Sequence, residues 1–115
     1  MAFRILRGII MQPIKNIKPK ELVHGITGYY AHGDNMTFGY IDLKAGSSVP
    51  MHHHVHEQIT YIIEGELDMV IGGQTCLLTA GMYHVIPSGT PHSAIAKTDC
   101  KVIDAFSPVR EEYKS

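Results

Sequence analysis

Residues 46–65 read GSSVPMHHHVHEQITYIIEG, and the fold depends on how this stretch is read. His52 and His54 stand two apart, so on an extended strand both imidazoles leave the same face. Gln58 follows four residues after His54 and heads the run QITYII, whose β-branched and aromatic side chains suit a strand. Residues 55–57 are expected to form the turn that lays these two strands side by side. Two imidazoles and an amide oxygen brought to one point are three candidate ligands for a divalent metal. The competing reading is a histidine-rich strand end facing solvent.

A second stretch weighs against that alternative. Residues 81–92, GMYHVIPSGTPH, hold a glycine turn, a short strand, a Pro-Ser-Gly turn and a histidine that opens another strand. Together the two stretches resemble the paired motifs of the cupin superfamily, G-x5-H-x-H-x3-E-x6-G and G-x5-P-x-G-x2-H-x3-N. The matching residues are Gly46, His52, His54 and Gly65, then Gly81, Pro87, Gly89 and His92, with residues 66–80 between the motifs. Gln58 stands where the motif carries glutamate, and Ala96 where it carries asparagine. The resemblance implies an all-β, single-domain, cupin-type antiparallel β-barrel (a double-stranded β-helix or jelly roll) with one divalent transition metal. Its ligands would be His52, His54, Gln58 and His92. These side chains are compatible with Zn, Ni, Fe, Mn, Co or Cu.

The rest of the chain agrees with that class. At 115 residues there is room for one domain and one core. Ten Lys and Arg against 11 Asp and Glu leave no basic stripe for nucleic acid. A hydrophobic content of 44% with 11 glycines and 6 prolines suits a turn-rich β domain. No apolar run approaches the roughly 20 residues of a membrane-spanning helix. The start, MAFRILRGIIM, is interrupted by Arg4, Arg7 and Gly8 and has no signal-peptide pattern, so the cytoplasm is the expected compartment. Cys76 and Cys100 are expected to be reduced thiols on strands.

In chain order, residues 1–20 form a lead-in, read as an edge strand over residues 3–11 that is buried against a second copy. The barrel domain is expected over residues 21–115. Strands are expected at 21–32, 36–43, 48–54, 58–64, 66–71, 74–78, 82–86, 93–97 and 101–106. Gly72-Gly73 is the clearest hairpin signal. His53 and His56 are expected to face solvent, and His24, His32 and His84 to be ordinary surface or strand residues.

The end of the chain, DAFSPVREEY over residues 104–113, adds a third group of residues. By alternation Asp104 and Phe106 share a face, and Pro108 ends the strand. If that face is interior, Asp104 offers a proton shuttle, Phe106 a dry wall and Arg110 a carboxylate clamp at the mouth. The bland alternative is a turn-capping Asp, a core Phe and a surface Arg. The segment D-x-F-S-P-x-R-E-x-Y, behind a motif with Gln in the fourth ligand position, resembles the small pectin-degradation cupins. That resemblance implies linearisation of 4,5-unsaturated uronate monosaccharides to 5-keto-4-deoxyuronates by a homodimer, with Asp104, Phe106 and Arg110 handling a small anionic sugar. A metal-dependent dioxygenase and a sugar- or ligand-binding cupin without activity are the two alternatives.

Overall fold

The computed structural model describes residues 11–114. Ten strands follow in order: β1 (Lys20–Val23), β2 (Ile26–His32), β3 (Thr37–Leu43), β4 (Ser48–His52), β5 (Glu57–Glu64), β6 (Glu66–Ile71), β7 (Gln74–Thr79), β8 (Tyr83–Ile86), β9 (His92–Ala96) and β10 (Cys100–Ser107). Short 3₁₀ turns at Ile14–Asn16 and Glu111–Tyr113 flank them. One sheet has the order β1-β2-β3-β10-β5-β8 and the other β4-β9-β6-β7, with every pair antiparallel. This is the all-β jelly roll expected from the motifs, with its hydrogen bonds divided between two sheets rather than closed into one cylinder. The lead-in strand expected over residues 3–11 lies almost wholly outside the described residues. Within those residues no helix is long and apolar enough to cross a membrane.

Alternation decides which side chains meet between the sheets. On β5 the residues Gln58, Thr60 and Ile62 point inward while Ile59, Tyr61 and Ile63 point out. Ile26, Ile41, Ile62 and Val102 of the larger sheet join Leu67, Met69 and Ala94 of the smaller sheet in one core. Burial of such side chains contributes roughly 1.5–3 kcal/mol each, which makes this shared layer the main source of stability.

Two sequence expectations need correction. Residues 21–32 do not form one strand: Gly25, at φ 86°, turns the chain between β1 and β2. A turn glycine was hidden within loose alternation. Residues 55–57 also do not join a hairpin, because β4 belongs to the smaller sheet and β5 to the larger. A tight hairpin needs positive φ at its centre, as at Gly72 and Gly73 between β6 and β7. Residues 53–56 contain no glycine and none has positive φ, so the chain crosses from sheet to sheet instead.

One wall of the interior depends on missing side chains. Tyr30 on β2 lies over Gly28 of its own strand and over Gly39, its register partner on β3. A Cβ at either glycine would fall 2.6 Å from the Tyr30 side chain. The two glycines thus let a large ring lie flat against the sheet. Tyr113 stacks on that ring at 4.4 Å between centroids.

Candidate metal centre

The crossing from β4 to β5 brings donors from both sheets to one point. His52 ends β4 and pairs across the ladder with His92, the first residue of β9. His54 stands in the crossing segment, and Gln58 faces it from the inner side of β5. The ring centroids of His52 and His92 are 4.3 Å apart, and those of His54 and His92 5.0 Å. The donor atoms of His52, His54 and His92 lie within 4.8 Å of one another, close enough to hold one metal ion. Gln58 Oε1 completes the group at 3.1 Å from His54 Nε2.

The backbone sets the tautomer of each ring. Nδ1 of His52 donates to Pro50 O at 2.9 Å, that of His54 to His56 O at 3.0 Å, and that of His92 to Thr90 O at 2.8 Å. A carbonyl only accepts, so each neutral ring carries its proton on Nδ1 and turns an Nε2 lone pair to the centre. His92 Nε2 is buried with no partner among the described residues. The Gln58 amide is also fixed: its NH₂ donates to Thr60 Oγ1 at 3.0 Å and to Asp104 Oδ1 at 3.2 Å, which leaves Oε1 for the centre. These converging lone pairs fit a divalent cation, which would give the unpartnered His92 Nε2 and the facing His54 Nε2 and Gln58 Oε1 a common partner.

Burial, helped by nearby charge, keeps two of the rings neutral. Burial, followed by the Arg110 charge and then His92, lowers the His54 pKa to about 4. His92 is lowered as well, mainly by burial. Both imidazoles are therefore neutral near pH 7, the form in which they can ligate a metal.

The second group of expected residues adjoins this cluster. Asp104 is the register partner of Thr60, and Phe106 that of Gln58, so β10 and β5 present all four on one inner face. Thr60 Oγ1 also donates to Asp104 Oδ1 at 2.8 Å. Burial raises the Asp104 carboxyl above its ordinary range, although these two donors oppose the shift. Arg110 is buried, only 6% exposed. Its Nε and Nη2 reach Glu112 Oε2 at 2.8 and 2.7 Å, and Nη2 also donates to Tyr113 Oη at 3.1 Å. The guanidinium lies 4.7 Å from the Phe106 centroid and 4.3 Å from that of Tyr113. His52, Gln58, His92, Asp104, Phe106 and Arg110 all line one cavity of about 80 Å³. Room for several waters is available there, beside apolar walls that include Ile41, Leu67 and Met69.

Several residues of the site were not legible as such. Thr60 could have been found, since the period of two places it on the face of Gln58. His56, expected in solvent, is buried: its Nε2 donates to Val109 O at 3.2 Å. His32, expected to be ordinary, bonds Thr37 Oγ1 at 2.8 Å and Tyr113 O at 3.2 Å. Val109 and Tyr113 lie 53 and 81 residues from the histidines they bond, so no local pattern signals them. His53 is exposed, as expected.

Known proteins place this architecture. The cupin domain family matches residues 39–106. The pectin degradation protein KdgF of Dickeya dadantii is 30% identical over 71 residues, 61% of this chain and 64% of that protein. The quercetin 2,3-dioxygenase of Bacillus subtilis is 42% identical over 50 residues, 42% of this chain and 14% of that protein. The chain thus spans less than two-thirds of either curated relative. The structure of KdgF from Halomonas sp. superposes with a TM-score of 0.79 at 29% identity, covering 85% of this chain and 92% of the other. With its motif strands, jelly-roll topology and histidine cluster all in place, the chain belongs to the cupin family.

Proposed function

We propose that the protein is a cytoplasmic, metal-dependent enzyme that converts 4,5-unsaturated uronate monosaccharides to linear 5-keto-4-deoxyuronates. The observation that carries this reading is one small cavity shared by a neutral donor cluster, a carboxyl of raised pKa and a buried guanidinium. The likeness to the pectin degradation protein KdgF of Dickeya dadantii and to the KdgF structure from Halomonas sp. supports the same substrate class. With a divalent transition metal held by His52, His54, Gln58 and His92, the site supplies Lewis acidity for the negative charge that develops as the sugar ring opens.

The chain's own residues supply the rest. Arg110 binds the substrate carboxylate in competition with Glu112, whose half-exposed side chain can give way. Phe106 and Tyr113 hold the guanidinium in place and keep water from the reacting atoms. Ring opening breaks the bond between C1 and the ring oxygen, and the C1 hydroxyl gives up its proton as the aldehyde forms. The released enol becomes the C5 ketone when C4 takes a proton, so no atom is gained or lost overall. Asp104 holds and returns that proton; its raised pKa favours the protonated form that donation requires.

The enzyme is expected to act as a homodimer. Ile59, Tyr61, Tyr83 and Val85 leave an exposed apolar row on β5 and on the edge strand β8, a surface suited to a second copy. A dioxygenase is the rival reading, supported by the short match to quercetin 2,3-dioxygenase. The deciding assay follows the enol-ether absorbance of 4,5-unsaturated galacturonate alongside oxygen uptake. Loss of absorbance faster than spontaneous opening, without oxygen consumption, supports the uronate reading. No rate above background, together with oxygen uptake on another substrate, transfers the site to the dioxygenase class.

A further inference from the structure

Three hydrogen bonds outside the donor cluster hold the segment that follows β10. His56 Nε2 donates to Val109 O at 3.2 Å, the Arg110 amide donates to Thr37 Oγ1 at 2.9 Å, and His32 Nε2 donates to Tyr113 O at 3.2 Å. A fourth contact, His32 Nδ1 to Thr37 Oγ1 at 2.8 Å, joins the last two into a relay. The Tyr113 carbonyl only accepts, so His32 carries its proton on Nε2, and its Nδ1 accepts from the Thr37 hydroxyl. The Thr37 oxygen then has a lone pair left for the Arg110 amide. Thr37 is fully buried, so its hydroxyl bonds these protein groups rather than water.

The segment so fixed carries the cation of the cavity. Arg110 and Tyr113 line it, whereas neither histidine ring does. His56 stays buried although its Nδ1 has no partner among the described residues. A space-filling apolar residue would carry no such cost, so the bond from Nε2 to the strap accounts for the histidine. Its main-chain carbonyl also accepts from His54 Nδ1, tying the strap and the donor cluster to one residue.

We propose that His32 and His56 are positioning residues that latch residues 108–113 across the cavity and so set where the Arg110 guanidinium meets the anionic group of the substrate. The part concerning substrate rests on the uronate reading; the latch does not.

The test compares His32→Ala and His56→Ala with the rescuing variants His32→Gln and His56→Gln, whose amide NH₂ can replace the Nε2–H. Amide hydrogen exchange at Arg110 and Tyr113 is measured with Ile62 as the core control, together with bound metal and the kinetics on 4,5-unsaturated galacturonate. The alanine variants should exchange about tenfold faster at the strap and raise KM by about tenfold, as expected for a lost hydrogen bond. The Ile62 exchange, kcat and metal content should stay near wild type, and Gln should restore KM. Should His32→Ala fail to fold, Thr37→Val removes the same relay at nearly constant volume and is held to the same result. Unchanged strap exchange and KM, or a KM rise accompanied by equal loss of metal, would overturn the latch. If wild type itself fails to turn the sugar over, the uronate reading falls while the exchange data still judge the latch.

Discussion

Nε2 of His54 and Oε1 of Gln58 face each other at 3.1 Å, and neither has a proton to place between them. The His54 proton is on Nδ1, held by the His56 carbonyl, and the amide protons of Gln58 are engaged by Thr60 and Asp104. Two acceptors at hydrogen-bonding distance repel unless a cation lies between them. Gln58 is thus a neutral donor in a position where the cupin motif carries an anionic one, and the charge of a metal bound there would not be offset by His52, His54, Gln58 or His92.

Gln58→Glu should therefore tighten metal binding, on the order of 10- to 100-fold, and slow turnover by lowering the Lewis acidity of the centre. Competition with a chelator measures the first effect and steady-state rates the second. Equal or faster turnover would show that neutrality of the ligand set is immaterial.

Metal-free protein should lose stability as the pH falls from about 6.5 to about 4. His54 takes its proton at the ordinary value of 6.5 when unfolded but only near 4 when folded. Its contribution is complete above 6.5 and is lost as the pH drops through that window. His92, also lowered, acts in the same sense. The raised Asp104 acts oppositely, since its contribution is lost as the pH rises. Urea midpoints across this range should fall more steeply for wild type than for His54→Asn; parallel curves would contradict the assignment.

Asp104→Asn should lower kcat by a factor on the order of 10² to 10⁴ with metal retained, because an amide keeps the shape but shuttles no proton. Arg110→Ala should mainly raise KM, since a carboxylate is held in both ground and transition states. An unchanged kcat in Asp104→Asn would remove the proton role. An unchanged KM in Arg110→Ala would mean that Glu112 never yields the guanidinium.

The parts of this architecture that obey local periodicity were readable from the sequence. The β6–β7 hairpin follows from Gly72-Gly73, and the shared face of Asp104 and Phe106 follows from alternation along β10. His52 and His54 converge even though β4 ends at His52, because the chain crosses between sheets there instead of turning back. What could not be read was pairing over distance: His32 with Tyr113 and His56 with Val109 are separated by 81 and 53 residues. The burial of Arg110 could not be read for a related reason. Its burial depends on two aromatic rings and a carboxylate that meet it only once the strap is folded.

Gly39→Ala should destabilise the fold by about 1–3 kcal/mol, as overpacking does, because its Cβ would fall 2.6 Å from the Tyr30 ring. The ring lines the cavity and stacks on Tyr113, so a shift toward either should raise KM as well. A variant as stable and active as wild type would show that Tyr30 is free to move elsewhere.

The most direct test of the metal centre is the metal content of the purified protein by elemental analysis. Wild type should hold close to one divalent transition metal per chain, and His54→Ala combined with His92→Ala should hold essentially none while remaining folded. A wild type that takes up no metal when it is offered, or a double variant that keeps a full complement, would contradict the assignment of these lone pairs to a metal ion.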